Sequence, residues 1–548
     1  MTRPVRELAD AYVEALVELD PLAATYLGRR SDRMPDLSPA GQEARDALAR
    51  ETLTRLASVE PSDEDDRRCA RLLRERLESG LAVSESGEHL RLVRNLIGPV
   101  QGVRGVFMAM PAETADDWAD IARRMAAVPQ SLAGYTDSLR EGARRGLFAA
   151  PRQVETNIEQ FREWGAGAGW FADFVAKAMV SPGLRGELDK AAALANQAVD
   201  DLQQWMAEEY LPLAEGTPDA VGEERYRLLA RQWTGSDLDL RTTYEWGWAE
   251  FRRIEREMRE QAERVLPGAS VSEAMRHLDQ HGEVVEGVEE IRLRLQQMID
   301  QAMTDLDGTH FDLADPVKVL EARIAPVGSA AAPYYMAPAA DFSRPGRTWL
   351  PTQGKTRFPL WTLVSTWYHE GVPGHHLQLA QWAYVSEQLS IYQTAVGKIS
   401  AATEGWALYA ERLMDELGYL TDPGSRLGYL EGQSMRAVRV IIDIGMHLKL
   451  ALPDDAPLAP GETWTPELGT AFFLANSGRD EAFVTSEITR YLGMPGQAIS
   501  YKLGERAWLA GRDAASAKPG FDLKSWHMAA LSQGSLGLDD LTEELGRL

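Results

Sequence analysis

The chain has 548 residues, 44% hydrophobic and 26% charged, enough apolar material for a large core and too much for a disordered or fibrous protein. Lys and Arg number 58 against 83 Asp and Glu; the net charge of −25 repels phosphate backbones and anionic headgroups, so neither nucleic acid nor a membrane surface is an expected partner. With Cys69 as the only cysteine, an intramolecular disulfide and a thiolate zinc cage are both excluded.

The N-terminal stretch, Met1-Thr2-Arg3-Pro4 running into Glu7, Asp10 and Glu14, shows no apolar core of signal-peptide length, and nowhere do eighteen apolar residues run together. The expected location is cytoplasmic, as a monomer or homodimer. Helical spacing then dominates. Leu188, Ala191, Ala195, Ala198, Leu202 and Trp205 follow it, as do Phe251, Ile254, Met258, Ala262 and Val265. Turn signals such as Ser181-Pro182-Gly183, Pro267-Gly268 and Asp422-Pro423-Gly424 punctuate these runs. The expected fold is all-α, a single domain over 1–548. Its best internal break is Leu213 to Glu223, dividing an N-terminal lobe, 1–215, from a catalytic lobe, 216–548. One stretch departs from the helical rhythm: the prolines and glycines between Ile324 and Thr352 forbid a continuous helix and predict a small extended or β element.

Immediately downstream comes Tyr368-His369-Glu370-Gly371-Val372-Pro373-Gly374-His375-His376-Leu377-Gln378, holding three of the nine histidines. Helical zinc peptidases carry H-E-x-x-H, with two imidazoles on one face and the Glu beside the metal's water. Proline at 373 breaks that pattern. On an unbroken helix a histidine seven residues on lies about 10.5 Å away along the axis, and one six residues on is rotated by about 120°. Neither reaches the same ion at zinc-nitrogen distances of about 2.0–2.1 Å. Gly371, Pro373 and Gly374 permit the interruption that returns one of them to the metal. His375 is preferred and His376 is the alternative. The third ligand is expected to be Glu404, the lone carboxylate of the near-apolar helix Ile399 to Ala410, because a carboxylate there needs a partner. Glu411 lies on nearly the same face, but Arg412, Asp415 and Glu416 mark the start of a solvated end. Glu370 is then the general base. In this scheme zinc activates a water and polarises the carbonyl, while Glu370 takes the proton and passes it to the leaving amine.

The apolar run Met435 to Leu452 carries Arg436, Arg439, Asp443 and His447 at spacings of 3, 4 and 4, one stripe on one face. Turned toward a cleft, Arg436 and Arg439 would bind a substrate carboxylate and His447 would donate to an oxyanion. Tyr501, after the Pro495-Gly496 turn, is a second candidate oxyanion donor.

The string His369 to Gln378 resembles a bacterial family known as domain of unknown function 885. Similar pieces are Asp20-Pro21 with Ala24-Thr25-Tyr26-Leu27-Gly28, Ser343-Arg344-Pro345-Gly346, Glu404-Gly405-Trp406-Ala407-Leu408-Tyr409 and Pro495-Gly496-Gln497-Ala498. This resemblance implies an all-helical fold similar to the carboxypeptidase Taq family and, more distantly, to the thimet oligopeptidase group. The expected activity is zinc-dependent hydrolysis of short peptides, carboxypeptidase-like or oligopeptidase-like. The alternatives are a peptide-binding scaffold without turnover and an amidase acting on a non-peptide amide.

Overall fold

The computed structural model describes residues 3–326 and 332–548, so Met1, Thr2 and residues 327–331 of the expected extended segment lie outside the described residues. The chain is predominantly helical, 67% of it in helices. Helices begin where the local chemistry favours a beginning. Ser181 accepts a hydrogen bond from the Leu184 amide with Pro182 at the first helical position, and Asp422 does the same for Ser425 ahead of Pro423. No described helix is long and apolar enough to cross a membrane.

Among the described residues two large hydrophobic cores form, beside a small cluster of Trp382, Val385 and Leu389. The smaller draws on residues 93–214 and is centred on the helix Pro182–Trp205, whose Leu188, Ala191, Ala195 and Leu202 are buried in it. The larger joins the first helices, from Val5 to Leu77, to everything from Tyr226 to Leu545. The smaller core ends at Ala214, near the expected break at 213–223, while the buried residues of the helices within residues 4–85 join the larger core and Leu22, Met34 and Leu37 of the same N-terminal stretch pack against the smaller one. In the larger core, the helix Leu240–Val265 buries Phe251, Ile254, Met258 and Ala262 and packs along the helix Pro423–Leu448.

The irregular stretch yields a three-stranded sheet in the order Leu320–Ile324, Gly346–Leu350, Tyr334–Met336. The first pair is parallel and the second antiparallel, which leaves Tyr334–Met336 on an edge. This sheet lies beside the helices that carry the histidines: the Tyr335 hydroxyl reaches His376.

Candidate metal centre

The His369-bearing helix, Leu363–Glu370, stops at Gly371, and a new one, His375–Tyr384, starts four residues later. The chain folds back tightly between them. The Gly374 amide donates to the Tyr368 carbonyl at 3.0 Å, and a Cβ on Gly374 would sit 1.9 Å from the His369 carbonyl oxygen, so only glycine fits. The Trp406 indole N–H, on the helix Ser400–Glu416, donates to the carbonyls of Pro373 and Gly374 at 3.0 and 2.9 Å. The helix that carries Glu404 therefore also holds the turn that delivers His375.

The interruption selects between the two adjacent histidines. His376 is fully buried; its Nδ1 accepts from the Tyr335 hydroxyl at 3.0 Å and its Nε2 donates to the Val317 carbonyl at 2.7 Å, leaving no nitrogen for a metal. His375 turns the other way. Its Nε2 lies 3.7 Å from Glu404 Oε2, and the same carboxylate oxygen lies 3.3 Å from His369 Nε2. Ligand atoms of His369, His375 and Glu404 all fall within 4.8 Å of one another. Donors about 2.0–2.1 Å from a tetrahedral ion stand about 3.3–3.5 Å apart; the two Glu404 separations lie near that spacing and all three within 4.8 Å, so these are the residues that could hold a single ion. Glu404 Oε2 is buried from solvent and, beyond these ion-pair contacts with the two imidazoles, makes no well-formed hydrogen bond among the described residues.

Glu411 stands behind this group. It is buried, not part of a solvated helix end as its charged neighbours imply; its Oε1 accepts from His369 Nδ1 at 2.8 Å and its Oε2 from the Ser365 hydroxyl. A carboxylate on the outer nitrogen fixes the imidazole's orientation and presents Nε2 inward. Burial works against charge on His369, yet its contacts with Glu404 and Glu411 hold it up at about 9. Burial, opposed by the Glu404 charge and helped by the positive charges of His369, Lys398 and Arg436, pushes His375 down to about 4, the neutral form a metal requires.

These groups open into a cavity of ≈1090 Å³ that also takes in Glu370, Arg436, Arg439 and Tyr501. The Glu370 carboxylate has no hydrogen-bond or ion-pair partner among the described residues, and burial pushes it up to about 7. Tyr501 lines the same cavity as Glu404, and their helices cross closely at two glycines: a Cβ on Gly405 would lie 2.4 Å from the Gly504 Cα, and Tyr501 sits one turn before Gly504. Its hydroxyl is unpaired among the described residues. The Glu404 charge, then burial, raise it, so it remains a donor.

The arginine stripe divides. Arg436 and Arg439 line the cavity, but acids of the chain already face them: Arg439 donates to Glu487 and to the Tyr491 hydroxyl, each at 2.8 Å, and Arg436 lies 3.5 Å from Glu411. His447 is not at the site. It is fully buried, with Nδ1 accepting from the Val221 amide at 3.3 Å and Nε2 donating to the Tyr491 carbonyl at 3.1 Å, so it holds two chain segments together and is unable to serve as an oxyanion donor. Asp443 likewise faces the core, accepting from the Tyr226 hydroxyl and the Gly496 amide.

The chain belongs to the family described as "Bacterial protein of unknown function (DUF885)", which matches residues 21–545. No curated protein matches it. Among solved structures it is similar to "the putative lipoprotein from Colwellia psychrerythraea", with a TM-score of 0.85 at 22% identity over 99% of this chain and 98% of that one. It is also similar to "a putative lipoprotein of unknown function from Shewanella oneidensis", with a TM-score of 0.76 at 20% identity over 99% of both chains. At these identities the likeness is one of fold.

Proposed function

We propose that the chain is a zinc-dependent hydrolase that cleaves amide bonds of short peptides, on a scaffold akin to the carboxypeptidase Taq fold with the second histidine displaced by a glycine-proline turn. One observation carries the reading: His369 Nε2, His375 Nε2 and a buried Glu404 oxygen that makes no well-formed hydrogen bond converge beside a free carboxylate, Glu370, in a cavity large enough for a peptide. His369, His375 and Glu404 would hold the ion, which when bound supplies Lewis-acid polarisation of the carbonyl and activation of water.

The chain's own groups do the rest. Glu370 accepts the proton of the attacking water and delivers it to the leaving amine as the C–N bond breaks, leaving the hydroxyl on the carbonyl carbon. The Tyr501 hydroxyl donates to the carbonyl oxygen as charge develops there. Pro333, Tyr334 and Tyr335 line the cavity, and the edge strand Tyr334–Met336, whose outer side pairs with no other strand among the described residues, could take an extended peptide as an added strand.

The test is elemental analysis of the purified protein together with a hydrolysis screen on a mixed short-peptide library. About one equivalent of zinc, cleavage, and loss of cleavage on chelation with recovery on re-addition of zinc are expected. Zinc without cleavage would leave a peptide-binding protein, and neither would end the reading. A cytoplasmic location is part of the proposal, since the single cysteine is buried beside Ser390 and needs no oxidising compartment. Both structural relatives carry the name lipoprotein, so recovery in the membrane fraction on cell fractionation is the result that would overturn it.

A further inference from the structure

Arg436, Arg439, Arg479 and Arg490 stand on the wall of the metal-centre cavity, and three of them donate hydrogen bonds to carboxylates of the chain. Arg439 and Arg490 share Glu487 at 2.8 and 2.7 Å, and Arg479 donates to Glu431 at 3.0 Å. Arg436 is the exception. It stands 3.5 Å from Glu411 Oε1, beyond hydrogen-bond range, and that carboxylate already accepts from His369 at 2.8 Å and from the Ser365 hydroxyl. The Arg436 side chain is only 14% exposed, its Nε is sealed from solvent, and among the described residues it donates no hydrogen bond.

The fold makes room for this guanidinium and gives it nothing to bind. On the helix Pro423–Leu448, Gly432 precedes Arg436 by one turn, and a Cβ there would lie 3.0 Å from the Arg436 Nη1. The Tyr501 ring lies 5.9 Å away. A guanidinium carries five N–H groups, and withdrawing them from water without acceptors is costly. The five carboxylates and five cationic side chains of the wall balance, so a divalent ion at His369, His375 and Glu404 leaves two positive charges for the substrate to meet. A carboxylate answers both needs, because it matches the guanidinium fork in charge and in shape.

Which carboxylate follows from where Arg436 stands. The Glu411 oxygen that it faces is bonded to His369 Nδ1, and Nε2 of the same ring points at the metal position. One carboxylate oxygen and one imidazole thus separate the guanidinium from the point of cleavage. Adjacent Cα atoms of a peptide are about 3.8 Å apart, so a scissile carbonyl at the metal position brings the α-carboxylate of the next residue into this range when that residue is the last. Resting on the hydrolase reading above, we propose that Arg436 binds the free C-terminal carboxylate of the substrate, so that the enzyme releases single residues from the C-terminus; Arg439, its neighbour on the stripe, is spent on Glu487 and Tyr491 and takes no part.

The test uses zinc-loaded protein carrying Glu370→Gln, so that peptides are held and not cut, with N-acetyl tripeptides supplied as free acids and as C-terminal amides and binding read by calorimetry. Free acids are expected to bind about 10- to 100-fold tighter than amides, the range of a charge-assisted contact. Adding Arg436→Met should abolish that ratio by weakening the acids alone, with zinc content unchanged. Arg436→Lys, which keeps the charge and loses the fork, should keep part of it, and Arg439→Met should leave it as it was. Equal binding of acids and amides before any change at Arg436 overturns the proposal. So does an Arg436→Met protein that weakens both forms alike or keeps the ratio, the result expected of a residue that only supports Glu411. Binding confined to Asp- or Glu-containing peptides in either form overturns it in favour of an acidic side chain. The two readings fail separately. If the protein without Glu370→Gln cuts nothing while acids are still held through Arg436, hydrolysis falls and the anchor stands; if it cuts acids and amides alike, the anchor falls and hydrolysis stands.

Discussion

Two polar clusters sit in the same core and resolve their burial in opposite ways. Around His447, which lies 3.7 Å from it, the Asp443 carboxylate accepts hydrogen bonds among the described residues from the Tyr226 hydroxyl and the Gly496 amide alone, both neutral donors, and burial pushes it up to about 7. Around His369, burial also works to raise Glu404, but the imidazoles aimed at it prevail and hold it ionised, well below the usual carboxylate range. The first cluster relieves its charge by taking a proton. The second keeps its charges, gathers them on one point and opens onto a cavity, an arrangement that stays costly unless a cation completes it. Buried histidine and carboxylate together thus do not define a site; what separates the two is whether the ring nitrogens are already spent on the chain.

The comparison can be broken most forcefully at Glu370. Glu370→Gln keeps the ligand group intact and is expected to retain zinc while lowering turnover about 10²- to 10⁴-fold; undiminished activity, or lost zinc, would remove it from the base role. Next is the carboxylate behind the ligand. Glu411→Gln should weaken zinc affinity about 10- to 100-fold in a chelator competition, because it disturbs the orientation of His369 without touching the ion. Unchanged affinity would reduce Glu411 to a partner of Arg436.

The smallest effect is expected in the other cluster. The folded-state value of Asp443 lies above that of the unfolded chain, so the folded protein holds the extra proton between about pH 4 and 7, and stability from this group is lost as pH rises through that window. Asp443→Asn keeps an acceptor for Tyr226 and Gly496 and does not titrate. Relative to wild type it should gain stability in denaturant melts from pH 4 to 7, while leaving zinc content alone. A constant difference across that range would contradict the neutral-carboxyl account.

Much of the site can be read in the sequence because the relevant residues are oddities locally: Glu404 is a carboxylate on an apolar helix, and His369, Glu370 and His375 flank a glycine-proline turn that no helix tolerates. The choice of His375 over His376 is not local. It follows from Tyr335 and Val317, which come from the sheet region and occupy His376, and from Trp406, which grips the turn. His447 and Glu411 are misread for a related reason. A stripe on a helix wheel says which residues share a face, but the Pro423–Leu448 helix is buried on nearly all sides, so one stripe passes from cavity to core along its length. Glu411, conversely, lies two turns from Glu404 on one helix, and the His369 ring bridges the two carboxylates.

The central claim, that the glycine-proline turn sends His375 to the metal and His376 to the chain, is tested most directly by the zinc content of His375→Ala and His376→Ala proteins prepared side by side. The account predicts about one equivalent in wild type and in His376→Ala, and loss of bound zinc in His375→Ala. Full zinc in His375→Ala, or loss confined to His376→Ala, would contradict it.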